Sequence, residues 1–287
     1  GGCRFFFFFI SGAAAECFNV TGMRGARIGG YPYSGANVSS FDLYAMVGFA
    51  GILTDEQAMA ASTVLTELYG VAPLARQVVI EGDSIFQGVG GLPVADNIAM
   101  VLTEPGSVQW SSDVRVTNMA VSGSKIADMV TRRDAAHGWP AILLSGGGAS
   151  NILVAQIGRN DVFSRVASDV YADIANYCSQ TGSGVLARGF DVCWAVNIAT
   201  APSLQDEIES LRASLRHQDF VAIAPGRISI ADLAKIEEPA GVTVFETSSD
   251  AANLANYQND STHPNIAGTR LMATGGSTAE NGLAAIM

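Results

Sequence analysis

The hydrophobic pattern changes character near residue 72. Before it, apolar positions come in strand-like stretches. Residues 4–10 are rich in aromatics, residues 24–28 form a second stretch, and residues 40–52 alternate. In the last of these, Phe41, Leu43, Ala45 and Val47 fall on one side and Asp42, Tyr44 and Met46 on the other. A period of two marks a half-buried strand. Thr54 then offers an N-cap, with Glu56 and Gln57 in the turn after it. A helix is therefore expected over residues 55–68, ending at Gly70. Val71-Ala72-Pro73-Leu74 is the expected seam, dividing residues 1–72 from 73–287.

Beyond the seam, strands and helices alternate. Short runs at 77–81, 114–120, 151–157, 190–198 and 227–233 read as strands. Helices are expected near 94–102, 162–177, 204–216 and 265–273. The third is amphipathic, with Ile208, Leu211 and Leu215 on one stripe. Apolar strands with helices between them imply a parallel sheet covered on both faces, a three-layer α/β/α domain. In such sheets the functional site lies at the carboxyl ends of the strands.

Composition narrows the function. The chain has 287 residues, 48% of them hydrophobic and 15% charged, which implies a sizeable core. A formal net charge of −11 argues against nucleic acid or an anionic membrane as partner, since both need a basic face. No apolar run approaches the roughly 18–20 residues of a membrane helix. Phe5 to Ile10 follows Arg4 as the core of a signal peptide would, but the run is short and phenylalanine favours strands. A buried strand is the preferred reading. The cysteines Cys3, Cys17, Cys178 and Cys193 form no C-x-x-C pair, so no zinc or redox motif is expected. A Cys3–Cys17 bridge stays open beside the simpler reading of buried free thiols.

Four polar blocks carry the candidate chemistry. Gly82-Asp83-Ser84 breaks the first strand of the second part, the kind of turn on which a nucleophile is displayed. Gly123 follows the second strand, Gly158-Arg159-Asn160-Asp161 the third, and Asp260-Ser261-Thr262-His263 lies near the end. A serine hydroxyl needs a base, and histidine suits that task near neutrality. A carboxylate must hold the far ring nitrogen. The oxyanion of a tetrahedral intermediate needs donors, which glycine N–H groups and an asparagine amide supply. Each residue alone has an ordinary reading, as a helix cap, a turn or a surface histidine. The other two histidines, His137 and His217, read as surface residues.

In order and type these blocks resemble those of the SGNH (GDSL-type) hydrolases, over about residues 75–287. The resemblance implies a flavodoxin-like SGNH hydrolase fold and a metal-independent serine esterase. It makes Ser84 the nucleophile, His263 the base and Asp260 the residue that orients it. The Ser84 and Gly123 N–H groups and the Asn160 amide would form the oxyanion hole. Asp83 is expected to be structural, Asp161 to brace its loop, and Arg159 to touch substrate.

Residues 24–70 resemble the C-terminal part of concanavalin A-like, laminin-G-type jelly rolls, though a whole sandwich does not fit. That association tilts the expected substrate toward short-acyl, acetyl esters on carbohydrate. Lipid or aryl esters are the alternative within the class, and a catalytically inert carbohydrate-binding module the alternative outside it. No cofactor is expected. A homo-oligomer through the N-terminal segment and a secreted or extracytoplasmic location are further expectations.

Overall fold

The computed structural model describes residues 4–9, 42–48, 76–88, 97–103, 114–135, 150–258 and 260–286. Contacts within the chain cluster into two units, Gly1–Pro73 and Leu74–Met287. In the first, β1 (Arg4–Phe9) pairs in parallel with β2 (Asp42–Gly48), Arg4 opposite Asp42 and Phe9 opposite Gly48. Jelly rolls are built from antiparallel pairs, so these two strands lend that expectation no support. The strand expected at 24–28 and the helix at 55–68 lie outside the described residues, as do Cys3, Cys17 and His137.

The second unit holds β3 (Arg76–Gly82), β4 (Val114–Asn118), β5 (Ser150–Gln156), β6 (Asp191–Ala195) and β7 (Ile228–Ala231). They form one sheet in the order β4-β3-β5-β6-β7, and every pairing is parallel. After Arg76, β3 is buried along its whole length, as a central strand covered on both faces must be. On one face Val79, Leu153 and Trp194 pack against α3 (Ile126–Asp134), α4 (Ala167–Tyr177) and α5 (Pro202–Arg216). The expected stripe of Ile208, Leu211 and Leu215 is buried there. On the other face Val78, Ile80, Val154 and Cys193 pack against α1 (Ser84–Gln87), α2 (Ile98–Thr103) and α8 (Ile266–Thr274). The smaller helices α6 (Gln218–Ala222) and α7 (Ser248–Ala251) complete the set among the described residues.

Relabelled along this unit, the strand order is 2-1-3-4-5, the flavodoxin-like winding. The direction of winding reverses between β3 and β5, which opens a crevice at their carboxyl ends. Several boundaries differ from the sequence reading by a few residues, β6 and β7 being shorter than expected, and two of the differences have a visible local reason. β4 stops at Asn118, whose side chain accepts from the Ala120 N–H (3.0 Å) and donates to the Phe86 carbonyl (2.9 Å). The Met119 and Val121 N–H groups still reach the Ile80 and Gly82 carbonyls of β3 (2.7 and 3.1 Å), so the chain runs on beside β3 as a loop. The helix expected from residue 162 starts at Ala167, because residues 158–164 are spent in successive tight turns. Cys178 and Cys193 are buried free thiols, and burial raises the pKa of both.

Candidate active site

The site is built at the β3–β5 crevice. β3 ends in Gly82, where an added Cβ would stand 2.5 Å from the Gln156 carbonyl oxygen. Only glycine lets the two strand ends approach so closely. Asp83 then caps α1 by accepting the Ile85 N–H at 3.0 Å. Ser84 is the first residue of that helix, 6% exposed at the foot of the crevice.

The base arrives on the turn before α8. One carboxylate oxygen of Asp260 accepts the N–H groups of Thr262 and His263, both at 2.9 Å. The other lies 2.6 Å from His263 Nδ1. A carboxylate there selects the tautomer with the proton on Nδ1. His263 Nε2 is left to accept from the Ser84 hydroxyl, 2.8 Å away. Burial works to raise the Asp260 carboxyl, but the His263 ring bond and the two backbone bonds outweigh it and hold it below the ordinary range. The three residues expected to form a triad are thus joined in one hydrogen-bonded line.

The third and second blocks are docked on this line and on each other. The Val121 N–H donates to the Gly82 carbonyl (3.1 Å) and the Ser122 N–H to the Gln87 side chain (2.6 Å). Gly123 sits at φ +78°, a left-handed turn position that glycine suits. The Asn160 amide donates to the Ser124 carbonyl at 3.0 Å. The Asp161 carboxylate accepts the Ile126 N–H at 3.1 Å, so Asp161 does brace its loop, and does so across 35 residues. The N–H groups of Ser84 and Gly123 make no hydrogen bond among the described residues, and Asn160 keeps a second amide hydrogen. These are the donors expected for an oxyanion.

Two groups around the site, Glu81 with its partner Arg132 and Gln87, were not read as part of it. Glu81, fully buried, takes the Arg132 guanidinium at 2.5 and 3.0 Å, and Arg132 also donates to the Ser124 hydroxyl at 2.9 Å. Gln87 holds the Gly123 loop, as above. Arg159, expected to touch substrate, is 7% exposed and gives its fork to Thr200 (2.9 Å) and Thr262 (2.7 Å). Its place between glycine and asparagine in the third block is the one signal that pointed to it. Asp83 is almost wholly buried, and burial pushes its carboxyl up to about 6 against the pull of the Ile85 N–H, Arg159 and His263. His217 lies on the surface, as expected, and caps α6 through the Asp219 N–H.

No protein-family model and no curated protein matches the chain. Solved structures do. A lipolytic G-D-S-L family member from Veillonella parvula is 18% identical, with a TM-score of 0.51, over 70% of this chain and 95% of its own. A variant acetyl-xylooligosaccharide esterase from Geobacillus stearothermophilus is 14% identical, with a TM-score of 0.50, over 71% of this chain and 93% of its own. The fold is that of the SGNH hydrolases. At these identities the likeness is one of fold, and the chemistry rests on the residues of the β3–β5 crevice.

Proposed function

We propose that the protein is a serine carboxylic-ester hydrolase working through an acyl-enzyme on Ser84. The observation that carries this reading is the line Ser84–His263–Asp260, with bonds of 2.8 and 2.6 Å. His263 Nε2 takes the hydroxyl proton as Ser84 Oγ attacks the acyl carbon. The Ser84 and Gly123 N–H groups and the Asn160 amide receive the charge that develops on the carbonyl oxygen. His263 returns the proton to the leaving alcohol. Water then repeats the sequence on the acyl-enzyme and frees the carboxylic acid.

Within this class we favour short-acyl, acetyl esters on carbohydrate. Support comes from the second fold neighbour, which is named as an acetyl-xylooligosaccharide esterase. One observation favours apolar esters as a second reading. Val121, Phe163 and Ile266 are exposed large hydrophobics, and each lies within three residues of Gly123, Asn160 or His263. Such a rim would suit an alkyl or aryl group.

Labelling with a fluorophosphonate, with the adduct mapped by peptide mass, tests the class. Wild type should label on Ser84 and Ser84→Ala should not, while staying folded and losing turnover. A folded wild type that neither labels nor hydrolyses p-nitrophenyl acetate would make the chain an inert module. Acetylated xylan fragments assayed beside p-nitrophenyl esters of rising chain length separate the two substrate readings.

A further inference from the structure

Among the described residues, residues 260–263 of the turn that carries the base make hydrogen bonds outside 257–264 at two points. Residues 260–263 are otherwise held by bonds from within 257–264. Asp260 accepts from Thr262 and His263, the Ser261 N–H reaches the Gln258 carbonyl, and the Gln258 N–H reaches the His263 carbonyl. Ser261 itself stands at φ +52°, a conformation unfavourable for a residue with a Cβ, which persists only where the surroundings impose it. The first external tie is the Ser84–His263 bond. The second is Arg159, whose Nη2 donates to Thr262 Oγ1 at 2.7 Å across 103 residues of sequence. Arg159 is held in place by its Nε bond to Thr200 Oγ1 (2.9 Å), just beyond β6.

The two ties differ in one respect that matters to the reaction. The Ser84–His263 bond exists only while Ser84 carries its proton. Once Ser84 Oγ bears an acyl group it has no hydrogen to donate. Through the second half of the cycle the Arg159–Thr262 bond is, among the described residues, the one hydrogen bond that residues 260–263 keep to a group outside 257–264. His263 must nevertheless hold its place, because it has still to take a proton from water. The water oxygen bonds to the acyl carbon, the Oγ–carbon bond breaks, and His263 Nε2 returns the proton to Ser84 Oγ.

We propose that Arg159 is a positioning residue for deacylation: through Thr262 it holds the Asp260–His263 turn in register while Ser84 is acylated. This rests on the ester-hydrolase reading. It replaces direct contact with substrate as the role of Arg159. Lysine does not substitute, because a single ammonium lacks the rigid fork that spans two hydroxyls.

The test separates the two half-reactions. Pre-steady-state release of p-nitrophenolate from p-nitrophenyl acetate gives acylation. Decay of acetylated Ser84, followed by intact mass after rapid quenching, gives deacylation. Thr262→Val removes the acceptor while nearly keeping the volume, and should slow deacylation roughly tenfold or more while acylation changes by less than about threefold. Thr262→Ser should restore the wild-type ratio. Arg159→Lys should repeat the valine phenotype, and the double variant should add little to either. Arg159→Lys is read only if its circular dichroism is native; Thr262→Val stands without it. Equal slowing of both steps, or a raised KM with both rates intact, overturns the proposal. Absence of labelling and hydrolysis in the wild type would instead remove the ester-hydrolase reading, and that is measured before any variant is made.

Discussion

In the proposed reaction Asn160 has two tasks for one amide. One hydrogen is given to the Ser124 carbonyl and fixes the side chain. The other is left for the developing oxyanion, where a donor matters more in the transition state than in the ground state. Asn160→Ala should therefore lower kcat by roughly 10²–10³ with little change in KM. A raised KM at unchanged kcat would move Asn160 to substrate binding. Asp83 makes a prediction of opposite character, about stability and not turnover. Burial raises its carboxyl from 3.8 in the free residue to about 6. The folded protein then binds the proton more tightly than the unfolded chain, so stability is full below about pH 4 and is lost as pH rises toward 6. The loss from this group is about 3 kcal/mol at 1.36 kcal/mol per pKa unit. Asp83→Asn keeps an oxygen for the Ile85 N–H and removes the titration. Urea unfolding from pH 4 to 7 should show wild type declining relative to the asparagine variant. The other ionisable groups that act on Asp83, Arg159, His263 and Asp161, are common to both proteins, so parallel curves would contradict the burial argument.

At the scale of elements, the close packing of α5 on the third block decides what the block can contain. Gly158 sits at φ +114°, and an added Cβ would stand 2.5 Å from Leu211 Cδ2 and 3.3 Å from Val170 Cγ1. Gly158→Ala combines backbone strain with overpacking and should cost about 3 kcal/mol in urea unfolding. Leu211→Ala opens space at that point, so the double variant should be less destabilised than the sum of the singles. Strict additivity would show that the clash is relieved elsewhere. These contacts also mark what can be read from sequence. The five strands were legible because each is a short apolar run closed by a turn residue, and the four blocks because each is contained in a few residues. α3 was not. Of its nine residues only Ile126, Met129 and Arg133 are buried, and its first N–H is held by Asp161, 35 residues away. The partners of Arg159 lie 41 and 103 residues distant, and nothing local announces a threonine as an acceptor. What failed to show was in each case a bond between segments that the sheet brings together.

At the scale of the whole molecule, the division at residue 73 separates two different balances of stability. Leu74–Met287 contains all five strands of the β4-β3-β5-β6-β7 sheet, the apolar clusters on both its faces, Ser84, Asn160, Asp260, His263 and the Arg159 tie. Among the described residues, both apolar clusters and every side chain named in the site belong to this unit. Among its described residues, Gly1–Pro73 contributes two parallel strands that pair with each other. A two-stranded sheet is at best marginal in water. The segment also carries Phe5 to Phe9, Tyr31, Tyr33, Phe41, Tyr44 and Phe49, too many aromatics to be left uncovered without inviting aggregation. We therefore expect it to be buried against Leu74–Met287 or against its copy in a second chain. A chain beginning at Leu74 should keep kcat on p-nitrophenyl acetate within about twofold, since no residue of the proposed acyl-transfer steps is removed. On that expectation it should also melt at a lower temperature or be less soluble. A truncated chain equal to the full one in melting temperature, solubility and activity would make residues 1–73 an independent appendage. Loss of kcat in a truncated chain with native circular dichroism would mean that the first unit completes the crevice.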